Sequence, residues 1–202
     1  MNASDGFFER LFDGQRVMAI LRGHSPERTV ELATRAWDLG MSAVEVPLES
    51  EAAYPSFRAA AEVARERGAV LGAGTIYRLE QIPAALAMGA RFAVAPGMDR
   101  EVAVACADAG LPYLPGVATA TEIQAALATG HGWVKAFPAR ELTPAWVRAM
   151  RAPFPGVRFV ATGGIDAGNA DTFLDAGVRA VAVGSALEDA TQLDRLAALV
   201  GA

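Results

Sequence analysis

Short β-branched or apolar runs alternate with alanine-rich amphipathic stretches of helical length from one end of this chain to the other, and that alternation restricts the fold more than any other feature. Repeated βα units build a parallel sheet covered by helices. Strands are predicted near Val17–Leu21, Ala43–Val46, Ala69–Gly72, Phe92–Ala95, Tyr113–Leu114, Trp133–Phe137, Arg158–Ala161 and Ala180–Val183, each followed by a helix. An additional helix precedes them around Ala3–Phe12. Ser25-Pro26 and Thr143-Pro144 place a capping residue before a proline at the first helical position, and Thr119 with Glu122 forms a capping-box pattern. Gly40, Gly68, Gly89, Gly110, Gly130 and Gly177 sit where the helices should stop, as left-handed C-terminal caps favour.

Eight βα units in 202 residues fit a compact (β/α)8 TIM barrel with an additional N-terminal helix, read as a single domain over 1–202. A doubly wound open sheet would need a glycine-rich phosphate loop after the first strand, which Leu21-Arg22-Gly23-His24 does not provide. In such barrels the active site collects at the carboxyl ends of the strands, so polar residues there carry functional weight.

Two residues stand out by that criterion. Of the 18 basic residues 17 are arginines, and the one lysine, Lys135, lies inside the apolar run Trp133-Val134-Lys135-Ala136-Phe137-Pro138. Arginine keeps its proton at any reachable pH, whereas a desolvated lysine can shed it and become a nucleophilic amine. A lysine left over by chance in an arginine-rich chain belongs on a solvated helix face instead. On the second strand, alternation puts Val44 and Val46 under the helices and Glu45 toward the barrel mouth, where desolvation raises a carboxyl pKa and suits it to proton transfer. A structural ion pair with an arginine is the competing account of Glu45.

Thr162-Gly163-Gly164-Ile165 after the seventh strand and Gly184-Ser185 after the eighth occupy the loops that bind phosphate in many barrels. Thr75 in Gly72-Ala73-Gly74-Thr75 can donate to a carboxylate, while Pro96 and Phe137 are read as walls of the site. His24 and His131 are read as loop, capping or surface residues, Cys106 as core packing, and Arg65, Glu66 and Arg67 as a solvated helix face. The net charge of -5 with no basic cluster argues against nucleic acid, and no apolar run reaches membrane-spanning length. Two histidines and one cysteine offer no dedicated zinc site, and the chemistry is expected to use neither metal nor cofactor. A start without basic and apolar signal regions points to the cytoplasm.

Taken in order, Ile20-Leu21-Arg22-Gly23, Val44-Glu45-Val46-Pro47-Leu48, Gly72-Ala73-Gly74-Thr75, Pro115-Gly116-Val117-Ala118-Thr119, Lys135-Ala136-Phe137-Pro138, Thr162-Gly163-Gly164-Ile165 and Gly184-Ser185 resemble the 2-keto-3-deoxy-6-phosphogluconate and phosphogalactonate aldolase family. The resemblance runs from about Val17 to Leu187. It implies a homotrimeric class I aldolase that takes a phosphorylated keto-deoxy sugar acid to pyruvate and glyceraldehyde 3-phosphate. Under it Lys135 is the Schiff-base lysine, Glu45 the general acid/base, and Thr75 a ligand of the pyruvyl group, with Gly163, Gly164 and Ser185 cradling phosphate. The chain departs from the pattern at Glu49, where phosphogluconate-type relatives carry an arginine for the pyruvyl carboxylate and phosphogalactonate-type relatives a neutral residue. Arg22 resembles the arginine of the phosphogalactonate type and is expected to take over that carboxylate. The competing functions are a phosphosugar isomerase, epimerase or synthase on the same barrel, or a non-catalytic phosphosugar-binding protein.

Overall fold

The computed structural model of the protein describes residues 3–200. After helix α1 (Ala3–Leu11) the chain runs β1 (Val17–Ile20), α2 (Pro26–Asp38), β2 (Ala43–Pro47), α3 (Tyr54–Arg67), β3 (Leu71–Gly74), α4 (Gln81–Ala87), β4 (Phe92–Val94) and α5 (Arg100–Asp108). It continues through β5 (Tyr113–Leu114), β6 (Gly116–Val117), α6 (Ala120–Ala128), β7 (Trp133–Ala136), α7 (Ala139–Arg151), β8 (Arg158–Thr162), α8 (Ala170–Asp175), β9 (Ala180–Val183) and α9 (Leu193–Val200). All strand pairs are parallel, in the order β5-β4-β3-β2-β1-β9-β8-β7-β6.

The two ends of that order are consecutive in sequence, because β5 and β6 are halves of one barrel strand broken at Pro115. Proline has no N–H to give to a ladder, so the strand splits there. The Pro115 carbonyl still accepts from the Lys135 N–H at 2.8 Å, while the Gly116 N–H donates to the Gly97 carbonyl at 3.1 Å, and the barrel closes. Eight barrel strands result, as the βα period predicts, with one of them in two pieces.

Strand alternation divides the core into two shells. Val44, Val46, Ala73, Val134, Phe159, Ala161, Val181 and Val183 face outward under the helices, and Met18, Ala43, Phe92, Val94, Leu114, Trp133, Val160 and Ala182 fill the barrel. Gly72 leaves the space that the Phe92 ring occupies. Helix α1 closes the end at which the strands begin: the Phe12 ring stacks on Trp133 at 5.2 Å, and Phe8 meets Phe92 edge-on at 5.8 Å. The Asp5 carboxylate pins the plug by accepting the N–H groups of Gly132 at 2.9 Å and Trp133 at 3.2 Å. With the amino end sealed by aromatic rings, only the carboxyl end is left to host polar chemistry.

The helix signals hold. Ser25 and Thr119 cap α2 and α6 through their side chains, Glu122 answers with bonds to the Ala118 N–H and the Thr119 hydroxyl, and all six predicted stop glycines have positive φ. Thr143-Pro144 does restart a helix, but inside α7: one turn follows Pro138, Thr143 departs to φ 70° and ψ 158°, and the rest begins at Pro144. The third strand begins at Leu71 rather than Ala69, because the Ala69 N–H still bonds the Ala64 carbonyl in the cap of α3. Among the described residues no helix is long and apolar enough to cross a membrane.

Candidate active site at the carboxyl end of the barrel

Glu45 and Lys135 both point into the barrel above the apolar layer, and both are buried, 1% and 4% exposed. The pleat places them there, since their neighbours Val44, Val46, Val134 and Ala136 lie in the outer shell. Gly74 on the adjacent β3 makes room for the Glu45 carboxyl: any Cβ at Gly74 would collide with it. Glu45 Oε2 is buried and meets no hydrogen-bond partner. The Lys135 ammonium position lies 4.8 Å from the Phe137 ring centre.

Burial acts on the pair in opposite senses. It pushes the Glu45 carboxyl up to about 7, against the pull of Lys135 and Arg22 and with a smaller push from Glu49. It holds Lys135 below the ordinary lysine range, with Glu45 opposing that shift and Arg22 adding to it. Burial thereby shifts each group toward its neutral form, which favours the amine as a nucleophile and leaves the carboxyl, at about 7, able to give or take a proton.

At the rim Arg22, just after β1, donates from Nη2 to the Thr75 hydroxyl at 3.0 Å, and its Nη1 lies 3.7 Å from Glu49 Oε2. Thr75 sits at φ 60°, a left-handed conformation that costs a threonine on the order of 1 kcal/mol. Gln81 holds it there. The buried Gln81 amide donates to the carbonyls of Thr75 (3.0 Å) and Leu48 (2.8 Å), and its oxygen accepts the N–H groups of Tyr77 and Arg78 at 2.9 Å. Sequence reasoning passed over Gln81, whose place in the first turn of α4 reads as solvated. Its signal was an amide side chain seven residues past the strand-end glycine Gly74.

The loops after β8 and β9 lie side by side, since Thr162 pairs with Ala182. Gly163 (φ 98°) and Gly164 (φ 71°) both take backbone conformations that favour glycine, and a Cβ on Gly163 would press on the Phe137 ring at 3.1 Å. Asn169 Nδ2 donates to the Gly164 carbonyl at 2.8 Å. The N–H groups of Gly163, Gly164, Gly184 and Ser185 donate to no protein acceptor among the described residues, and the Thr162 hydroxyl is buried without a partner. A run of unanswered donors across two neighbouring loops is what an anion requires.

Other candidates are placed differently. Pro96 stands exposed just after β4, its carbonyl against Gly116. His24 lies 3.7 Å from Glu188. His131, expected as a capping or surface residue, is instead 2% exposed, bonded to the Thr129 hydroxyl at 3.0 Å and edge-on to Tyr113, and burial lowers its pKa. Cys106 is buried in the core with its thiol pushed up to about 12, so it is a packing residue. Among the described residues no three His, Cys, Asp or Glu side chains gather as a metal site. A concavity of about 1000 Å³ between α3 and α4 is lined by Phe7, Val70 and Arg91, away from the Lys135–Glu45 pair, so chemistry here is located by side chains and not by cavity volume.

A parallel barrel with one buried lysine and one buried carboxyl at its mouth is built as the lysine-dependent aldolases are. The chain belongs to the KDPG and KHG aldolase family, whose model it matches over residues 9–199. It is 34% identical over 177 residues to the 2-dehydro-3-deoxy-6-phosphogalactonate aldolase of Escherichia coli (strain K12), covering 87% of this chain and 86% of the relative. It is 37% identical over 155 residues to the 2-dehydro-3-deoxy-phosphogluconate aldolase of Treponema pallidum (strain Nichols), covering 76% and 73%. Among solved structures it resembles the KDPG aldolase of Legionella pneumophila with pyruvate captured at low pH as a covalent carbinolamine, with TM-score 0.83, 26% identity, and 99% and 98% of the two chains covered.

Proposed function

We propose that the protein cleaves a 2-keto-3-deoxy-6-phospho sugar acid to pyruvate and glyceraldehyde 3-phosphate through an imine on Lys135. The observation that carries this reading is the buried Lys135–Glu45 pair, in which burial drives both groups toward the neutral form. The neutral amine adds to the C2 keto carbon, and loss of water gives a protonated imine. Glu45, ionised once it has given its proton to the departing water, removes the C4 hydroxyl proton directly or through one water; the C3–C4 bond breaks to release the aldehyde, and its electron pair enters the imine to form an enamine. Glu45, directly or through one water, then delivers a proton to C3, and hydrolysis returns the free amine with pyruvate. Arg22 and Thr75 take the substrate carboxylate, while the unanswered N–H groups of Gly163, Gly164, Gly184 and Ser185, with Thr162, take the phosphate. Phe137 walls the site beside Lys135, and Pro96 bounds its rim.

The same reading makes the protein a homotrimer in the cytoplasm. Exposed Tyr77 and Leu79 before α4, Leu86 on α4, Val104 on α5 and Leu127 on α6 supply apolar surface on consecutive helices. Sedimentation at micromolar concentration reads the mass, which should be three times 21.1 kDa.

Borohydride reduction in the presence of pyruvate tests the central claim. One three-carbon adduct is expected on the intact mass and none on Lys135→Arg; with a single lysine, the α-amino group is the only other amine to exclude. Normal turnover by Lys135→Ala would end the imine reading. A retro-aldol panel of both phosphorylated epimers and their unphosphorylated analogues then assigns the substrate.

A further inference from the structure

Arg22 is 52% exposed at its side chain, and an arginine in that position loses about 2 kcal/mol of rotamer entropy when it is fixed. Two contacts fix it here: the Thr75 hydroxyl on Nη2 and the Glu49 carboxylate beside Nη1. The second contact is the unusual one, since an acid at the mouth of a site that binds an acid repels the ligand. Yet Glu49 Oε2 is covered from solvent and accepts no hydrogen bond, so the Arg22 cation 3.7 Å away is what answers it. Glu49 follows Leu48, whose carbonyl is held by Gln81, the same amide that holds Thr75. Both tethers of the guanidinium are therefore attached to one clamp, and about three of its five N–H donors remain for a ligand.

We infer that Glu49 is a positioning residue for substrate binding: it draws one arm of the Arg22 guanidinium while Thr75 holds the other, and so sets the fork across the barrel mouth to receive the pyruvyl carboxylate. The inference rests on the proposed role of Arg22 in carboxylate binding. Glu49 acts on the ligand in two opposed ways, attracting it indirectly by orienting Arg22 and repelling it directly by charge. The position of the arginine relative to the reacting groups supports this geometry, because Arg22 acts on both Glu45 and Lys135 and Glu49 acts on Glu45.

Opposed effects predict a change of sign. The readout is the pyruvate concentration giving half-maximal borohydride trapping on the full chain, compared for the parent, Glu49→Leu, Arg22→Leu and the double variant. In the parent background Glu49→Leu should raise that concentration about threefold to fivefold, the scale of a half-exposed ion pair, without changing the limiting trapping rate. Arg22→Leu should raise it at least tenfold through loss of a charge-assisted bond. In the Arg22→Leu background Glu49→Leu should lower it, because only the repulsion is left to remove. Glu49→Gln, which keeps an acceptor for the guanidinium, should recover affinity relative to Glu49→Leu. Tighter pyruvate binding by Glu49→Leu in both backgrounds would make Glu49 a plain repulsive charge and overturn the inference. No change in either would place it outside the site, with the same result. If Arg22→Leu lowers the thermal midpoint, Arg22→Gln replaces it as the background, since a neutral amide leaves no cation for Glu49 to orient. A parent that traps no pyruvate overturns the lysine reading itself, an outcome distinct from normal trapping with same-sign effects at Glu49.

Discussion

Glu45 carries the sharpest pH statement at the scale of single residues. A base must be ionised to take a proton, and the free carboxyl titrates at about 7. Deuterium exchange into the pyruvate methyl group, measured at low pyruvate so that it reports the free enzyme, should therefore fall as pH drops through about 7. Glu45→Gln should abolish that limb and cut exchange by roughly 100-fold or more, while slow borohydride trapping persists. Unchanged exchange would assign the base elsewhere. Lys135 and Glu45 were legible in the sequence because a strand has a period of two and a single inward polar residue on it cannot hide. The Arg22–Thr75 bond was not, since it joins residues 53 apart and depends on β1, β2 and β3 standing side by side. Gln81 and His131 escaped for the same cause: their burial follows from loops and rings brought up by neighbouring strands, which no local pattern records.

At the scale of elements, the punctuation was readable and the interruptions were not. Capping residues and stop glycines act locally, so their sequence signals carry straight into α2, α6 and the six positive-φ glycines. The break of the fifth strand at Pro115 and the helical turn that precedes Thr143 in α7 depend on where the barrel must turn. The β8 and β9 loops combine both kinds of information. Their glycines were visible in sequence, but the unanswered N–H groups are a property of the folded loops. Gly163→Ala tests them, because it adds a methyl 3.1 Å from the Phe137 ring at a φ of 98°. The Michaelis constant for a phosphorylated substrate should rise about tenfold, with half-maximal trapping by pyruvate nearly unchanged. Equal use of phosphorylated and unphosphorylated substrates by the parent would remove the phosphate site.

Over the whole molecule, the two ends of the barrel divide stability from chemistry. The amino end is sealed by Phe8, Phe12, Phe92 and Trp133, so Phe12→Ala should cost about 3 kcal/mol or more in urea unfolding while leaving the pyruvate trapping rate intact below the transition. The carboxyl end should respond with the opposite sign. Glu45 ionises at about 4.5 when unfolded and about 7 when folded, so between those values the unfolded chain releases its proton first. Stability is then lost as pH rises through that window, by at most about 3 kcal/mol, and the loss is complete above about 7. Glu45→Gln removes the titration, and its stability relative to the parent should grow from pH 4 to pH 8. An equal difference at both pH values would mean that the carboxyl is solvated and ordinary in the folded protein. One unfolding series across pH thus measures what the buried Glu45 carboxyl costs the barrel, independently of turnover.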